Sequence, residues 1–506
     1  MHASGGHVKG NNDPMKHEAA HFSLGPGTYR VPMQLHAQNR RRLAERLRAK
    51  GGATSGVVLL EGGQALFRYD TDTEEHFKQE SFFKWAFGVK EPGFFGAIEV
   101  RSGRSWLFMP RLPEEWAVWQ GRIHPPGHFK AMYEVDEVRY VDEMASVLAG
   151  LDPKPLYLLK GRNTDSGNWA QPARFDGIEK FDADTSVLYP HIVECRVVKT
   201  ADEVGLLRHV NGVTSAAHVE VMQRIRPGMT EYHLEAIFLY EIYMRGGCRF
   251  TAYHCICGCG PNSATLHYGH QGAPNDRVLE DGDFLLDDSG AEYHGYASDV
   301  TCSYPVNGRF TADQRMVYEA VLAANRTVQA AMKPGVSWPD MHRLAERTIA
   351  RHLLAAGLLR GSIEALMAAH VPTLFMPHGL GHLMGLDVHD VGGYPEGVAR
   401  SEEPGLRGLR CGRRLEAGMV ITVEPGVYFI DAVLEPALAD PRYAPFLVPD
   451  VIARFRGKGG VRIEDDVLVT AAGAENLTKV PRTVDEIERV MAEGRRLHPE
   501  GVAALA

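Results

Sequence analysis

The residues best placed to do chemistry lie between positions 279 and 305, in LEDGDFLLDDSGAEYHGYASDVTCSYP. Apolar runs on both sides of the polar EYHG tetrad read as an antiparallel hairpin. With Tyr293 and His294 at the turn, pairing runs outward from Glu292 and Gly295 and sets Asp288 directly opposite Asp299. Opposed residues share a face with Cβ atoms about 4.5–5.5 Å apart, where like charges repel. Two buried carboxylates that close need a proton or a cation between them, and a hard divalent metal is the simplest answer.

The stretch has a second copy. LEDGDFLLDD at 279–288 aligns without a gap on LEAGMVITVE at 415–424, so Glu424 stands where Asp288 does. The later strand GVRIEDDVLVT offers Glu464 as the counterpart of Asp299. HYGH at His267 to His270 precedes the first copy, and HGLGH at His378 to His382 precedes the second. RPGMT at 226–230 and KPGVS at 333–337 each join two helical segments. Two half-sites of one pseudo-twofold domain follow, each giving two carboxylates, the second adding His382.

Four carboxylates and one imidazole suit two closely spaced divalent cations with the open positions of a hydrolytic site. Solvated strand ends and a core histidine would explain one Asp pair, but not a duplicated set beside a glycine-rich HGLGH run. The oxygen-rich set suits manganese, and zinc or cobalt fit the same ligands. His267, His378 and His389 bring further imidazoles to the neighbourhood, each taken singly as easily structural as functional.

These residues need a scaffold, and 506 residues with 44% hydrophobic content are enough for two domains with large cores. A net charge of -9 argues against a general nucleic-acid surface. The first 22 residues lack the apolar core of a secretory signal and no apolar run is long enough to cross a bilayer, so a soluble cytoplasmic protein is expected. Cys255, Cys257 and Cys259 stand too close along one extended segment for a disulfide framework, and the seven cysteines read as reduced thiols.

Residues 1–23 are polar and glycine-rich and are expected to be without structure. Residues 24–192 read as an α/β domain holding none of the candidate ligands. In it, positions 33–50 form a basic amphipathic helix whose Arg40, Arg41, Arg42, Arg46 and Arg48 make a solvated face. Arg101-Ser102-Gly103 marks a hairpin turn, SFFKWAFGV at 81–89 reads as core, and Trp116 and Trp119 suit an exposed lid or subunit contact. The second domain covers 193–497. It opens with a helix after the capping box Thr200 to Glu203, and a second box, Thr311 to Gln314, starts a helix running to about Met332. Helices preceding each half-sheet make the whole α+β.

Asp288, Asp299, His382, Glu424 and Glu464 match the ligand pattern of the dimetal peptidase family with the pita-bread fold, which includes methionine aminopeptidase, aminopeptidase P and prolidase. The strings YHCICGCGPNSATLHYGH, YASDVTCSYPVNGRFTADQ, FMPHGLGHLMGLDVHDVGGYPEG and FRGKGGVRIEDDVLVT are similar to its prolidase branch, the Xaa-Pro dipeptidases, and the likeness runs from about residue 25 to 490. The resemblance implies a creatinase-type N-terminal domain and a pseudo-twofold pita-bread catalytic domain. It implies that Asp288 holds one metal, His382 and Glu424 the other, and Asp299 and Glu464 bridge both. A metal-bridged hydroxide would then attack Xaa-Pro dipeptides, with Glu424 passing the proton to the leaving nitrogen. By the same likeness His378 and His389 act on the scissile carbonyl, while His267 and Arg410 hold the substrate carboxylate. Manganese, a homodimer and a part in collagen-peptide turnover are further implications. Aminopeptidase P, which shares all five ligands and takes longer peptides, is the nearest rival. A non-catalytic binding protein or a creatinase-like amidinohydrolase on the same fold stands further off.

Overall fold

The computed structural model describes residues 20–269 and 275–499. His270 of the HYGH run and residues 1–19 of the expected tail lie outside the described residues. Within the remainder of that tail, His21–Phe22 pair as a short strand with Val31–Pro32.

The N-terminal part is built on a six-stranded mixed sheet in the order Ala183–Asp184, Leu156–Leu158, Val57–Glu61, Phe95–Glu99, Ser105–Met109, Glu137–Tyr140. Phe95–Glu99 and Ser105–Met109 form the expected hairpin, with Gly103 in the left-handed region at φ 74°. The SFFKWAF segment is a helix, Ser81–Phe87, whose Phe82, Phe83, Trp85 and Phe87 are buried. Trp116 and Trp119 are exposed. The helix Gln34–Lys50 forms as expected, but its arginine face is not uniformly solvated. Arg40 is 3% exposed and donates to the carbonyls of Ala86 and Glu134, while Arg42 donates to those of Cys195 and Val198. These side chains serve as ties between packed segments rather than as a charged surface.

The C-terminal part repeats one unit. The helices Ala201–Arg224 and Glu231–Gly246 flank one RPGMT joint, and Ala312–Ala331 and Trp338–Ala355 flank the KPGVS joint. Both expected capping boxes form, Thr200 with Glu203 and Thr311 with Gln314. One three-stranded sheet runs Ile256–Cys259, Phe284–Asp288, Thr301–Pro305, and another Val420–Val423, Asp465–Val469, Ala474–Asn476. An antiparallel bridge between Thr301 and Glu464 joins the two halves.

The hairpin register differs from the expectation. Its turn is His294 and Gly295, both at positive φ, so Tyr293 pairs with Tyr296 and Asp288 pairs with Thr301 rather than Asp299. A two-residue turn of this hand needs positive φ at both central positions, and Gly295 supplies one without strain. The shift is two residues, and because side chains alternate with period two, Asp288 and Asp299 still share a face. At Gly290 a Cβ would lie 1.9 Å from the Ser298 carbonyl oxygen, so the two strands approach there as only glycine allows.

Candidate metal centre

Asp288 ends the strand Phe284–Asp288, and Asp299 stands two residues before Thr301–Pro305. Glu424 follows Val420–Val423 and Glu464 precedes Asp465–Val469. Val423 pairs with Asp465, so one step further sets Glu424 opposite Glu464. His382 is fixed by backbone bonds to the same strand: its amide donates to Thr422 Oγ1 at 3.1 Å, and its carbonyl accepts from the Thr422 amide at 2.9 Å. All five face one pocket of about 440 Å³, which His267, His378, His389 and Arg410 also line. The structure therefore brings together every site residue expected from the sequence.

The geometry fits a metal. His382 Nδ1 lies 3.2 Å from the Leu383 carbonyl, so it carries the ring proton and leaves the Nε2 lone pair inward. That lone pair faces Asp299 Oδ2 at 3.3 Å and Glu424 Oε1 at 3.6 Å. Acceptors so opposed repel unless a proton or a cation lies between them. Ligand atoms of Asp299, His382 and Glu464 all lie within 4.8 Å of one another. Burial lifts the Asp299 and Glu464 carboxyls well above their usual range, with Asp288 adding to the first and Asp299 to the second. Burial also raises the Glu424 carboxyl to about 7. Three carboxyl groups and one imidazole competing for protons in this way form a donor set for a divalent ion.

Burial disfavours the charged form of two neighbouring histidines. Burial, then Arg462, pushes His378 down to about 3, and burial, then His382, pushes His389 to about 2. His378 Nδ1 donates to the Gly379 carbonyl at 2.7 Å and its Nε2 lies 3.1 Å from the Tyr428 hydroxyl. The segment carrying His389 is gripped from the helix Leu188–Val197, where buried Arg196 bonds Asp387 at 2.7 Å and Asp390 at 2.5 Å.

Residues 205–471 match the model of metallopeptidase family M24, and residues 36–155 match the aminopeptidase P N-terminal domain. The chain is 58% identical to a Xaa-Pro dipeptidase of Homo sapiens over 93% of this chain and 96% of that one. The chain belongs to metallopeptidase family M24. A Xaa-Pro dipeptidase of Rattus norvegicus is 56% identical over 95% of this chain and 98% of its own. Among solved structures, Pseudomonas aeruginosa aminopeptidase PepP superposes with a TM-score of 0.74 at 31% identity, covering 92% of this chain and 99% of the other. The fold is thus the pita-bread fold of the M24 enzymes behind an aminopeptidase P type N-terminal domain.

Sequence reasoning missed four residues of this M24 site. The Tyr253 hydroxyl lies 2.6 Å from Asp288 Oδ1 and 2.5 Å from Asp299 Oδ1, where its one proton serves either. Arg462 donates to Asp288 Oδ2 at 2.6 Å, the Tyr428 hydroxyl at 2.8 Å and Thr301 Oγ1 at 3.1 Å. Its position two residues before Glu464, on the same strand face, was the available signal. Thr301 itself donates to Glu464 Oε2 at 2.7 Å. Asp165, in the loop between Gly161–Arg162 and Trp169–Ala170, reaches from the N-terminal part to within 3.9 Å of Arg410 Nη1, and nothing local in its sequence announces this. Among the described residues no helix is long and apolar enough to cross a membrane.

Proposed function

We propose that this metallopeptidase hydrolyses Xaa-Pro dipeptides to release free proline. The observation that carries the reading is the 58% identity to a Xaa-Pro dipeptidase across almost the whole of both chains, against 31% for the aminopeptidase. In this reading Asp288, Asp299, His382, Glu424 and Glu464 hold two divalent ions, with Asp299 and Glu464 shared. When bound, such ions supply Lewis acidity and make a coordinated water acidic near neutral pH.

The chain's own residues have separate tasks. Glu424 Oε1 faces His382, while Oε2 lies 3.7 Å from His378 Nδ1 on the pocket side and is free to carry a proton to the proline nitrogen. That nitrogen is an imide and must be protonated to leave. Neutral His378 and His389 border the scissile carbonyl. Arg410 and His267 take the proline carboxylate, for which the planar guanidinium is suited. Arg462 offsets part of the carboxylate charge and holds Asp288 in place. Manganese as the resident metal, a homodimer and the division into residues 24–192 and 193–497 complete the proposal; the two family matches fall on either side of that division.

The test is elemental analysis of the purified protein together with assays on Gly-Pro and Gly-Pro-Pro. Two metal equivalents and strong preference for Gly-Pro are expected. Preference for Gly-Pro-Pro would make the protein an aminopeptidase instead.

A further inference from the structure

A second cavity, about 710 Å³, lies beside the metal pocket and shares Val388 and His389 with it. Phe22, Phe77, Phe250 and Tyr293 line it together with four cations, Lys78, Lys84, Lys90 and Arg249. Its two carboxylates are already engaged. Glu292 pairs with Lys78 at 2.8 Å, and Asp387 is held by Arg196 at 2.7 Å and by the Ser81 hydroxyl at 2.6 Å. Among the described residues Lys84, Lys90 and Arg249 have no carboxylate partner, so the cavity keeps a net positive wall.

Lys84 is the unusual member. It is 7% exposed, and its ammonium donates to the Gly88 carbonyl at 3.2 Å and toward His294 Nδ1 at 3.4 Å. The tautomers behind it follow from one anchor. His36 Nδ1 is 3.0 Å from the Trp85 carbonyl and must donate, so His36 Nε2 accepts from His294 Nε2 at 3.0 Å, leaving His294 Nδ1 to accept from Lys84. Two of the three ammonium protons are thereby placed, and the third is unspent. His294 reaches this position from a hairpin tip at φ 52°, a conformation uncommon for a residue other than glycine. An ammonium buried with no carboxylate in contact is unfavourable, and burial pushes Lys84 down to about 8 against the pull of the more distant Glu292 and Glu91.

We propose that this cavity binds a small organic carboxylate, its charge on Lys84 and Arg249 and its apolar body against Phe22, Phe77 and Phe250. The rings favour an organic anion over a bare inorganic one, because a fully hydrated ion would leave them without a partner. The wall shared through Val388 and His389 sets this ligand directly behind a side chain of the metal pocket.

The experiment is calorimetric titration of the metal-loaded protein with phenylacetate and with its neutral isostere phenylacetamide. Phenylacetate should bind once per chain with a Kd of about 1 mM, the scale expected for ten heavy atoms. Phenylacetamide should bind at least tenfold more weakly. Arg249→Gln, at an exposed position, and Lys84→Met should each weaken phenylacetate several-fold, while Arg410→Ala should leave its Kd unchanged. Equal binding of the amide, absence of phenylacetate binding, or loss of binding in Arg410→Ala with retention in both other variants would overturn the proposal. Since the readout is binding, a failure to hydrolyse Gly-Pro would not bear on it.

Discussion

Thr301 Oγ1 donates to Glu464 Oε2 at 2.7 Å, and the Glu464 amide donates back to the Thr301 carbonyl at 3.2 Å. A strand from the first half-repeat thus orients a carboxylate from the second. The same hydroxyl accepts from Arg462 Nε at 3.1 Å, so one side chain links both halves and the charge that faces Asp288.

Thr301→Val keeps the shape and removes the donor. Groups that orient metal ligands typically contribute 10- to 100-fold in metal affinity, so about tenfold weaker binding is expected. Competition with a chromogenic chelator measures it. Unchanged affinity would mean that Glu464 is held by its backbone alone.

The two oxygens of Asp299 face different partners. Oδ1 stands with Tyr253 beside Asp288, while Oδ2 faces His382. Asp288 instead has Oδ1 on Tyr253 and Oδ2 on Arg462. Asp299→Asn should therefore deplete both metal equivalents, and Asp288→Asn chiefly one. Elemental analysis after dialysis distinguishes them, and equal retention in the two variants contradicts a bridging Asp299.

How much of this was legible follows from the residues. Asp288 and Glu424 could be read because a ten-residue segment recurs with an acid at its end, and Asp299, Glu464 and His382 from the strands and the HGLGH run around the two copies. The register could not, since it depends on which two residues of EYHG accept positive φ, and His294 does so against its ordinary preference. Tyr253 and Arg462 have no counterpart in a repeat and become functional only through long-range contacts, 46 residues to Asp299 and 174 to Asp288. Arg40 looked solvated because a basic helix usually is, and only tertiary packing shows the carbonyls it satisfies.

His36 makes stability fall in acid. Burial lowers its imidazole to about 3, from an ordinary value of 6.5. Between those values the unfolded chain takes up a proton that the folded chain refuses, so stability decreases as pH falls from 6.5. One such group contributes a slope of up to about 1.4 kcal/mol per pH unit. Neither Lys84, near 8, nor Arg40, near 10, titrates in that window, and burial, then Lys84, holds His294 well below its ordinary value. Urea denaturation at pH 4.5, 5.5 and 6.5 should show a shallower slope for His36→Gln than for the wild type. Parallel slopes would show that His36 protonates in the folded state.

Length selection depends on the substrate's carboxyl end. A two-metal site would cleave any amide whose carbonyl it reaches, so discrimination must come from groups that recognise where the peptide stops. Arg410 is positioned for this. Asp165 at 3.9 Å is too far to hydrogen-bond it, and the guanidinium, 30% exposed, retains donors for a carboxylate entering the pocket. Replacing that carboxylate by an amide forfeits a charge-assisted pair worth about 1.5–3 kcal/mol, or roughly ten- to a hundredfold in rate. Gly-Pro should exceed Gly-Pro-amide by that factor in kcat/KM. Arg410→Ala should narrow the gap by slowing the dipeptide while leaving the amide nearly unchanged. If the wild type cleaves both alike, Arg410 does not bind the carboxylate, and selection by chain length must come from steric closure of the pocket.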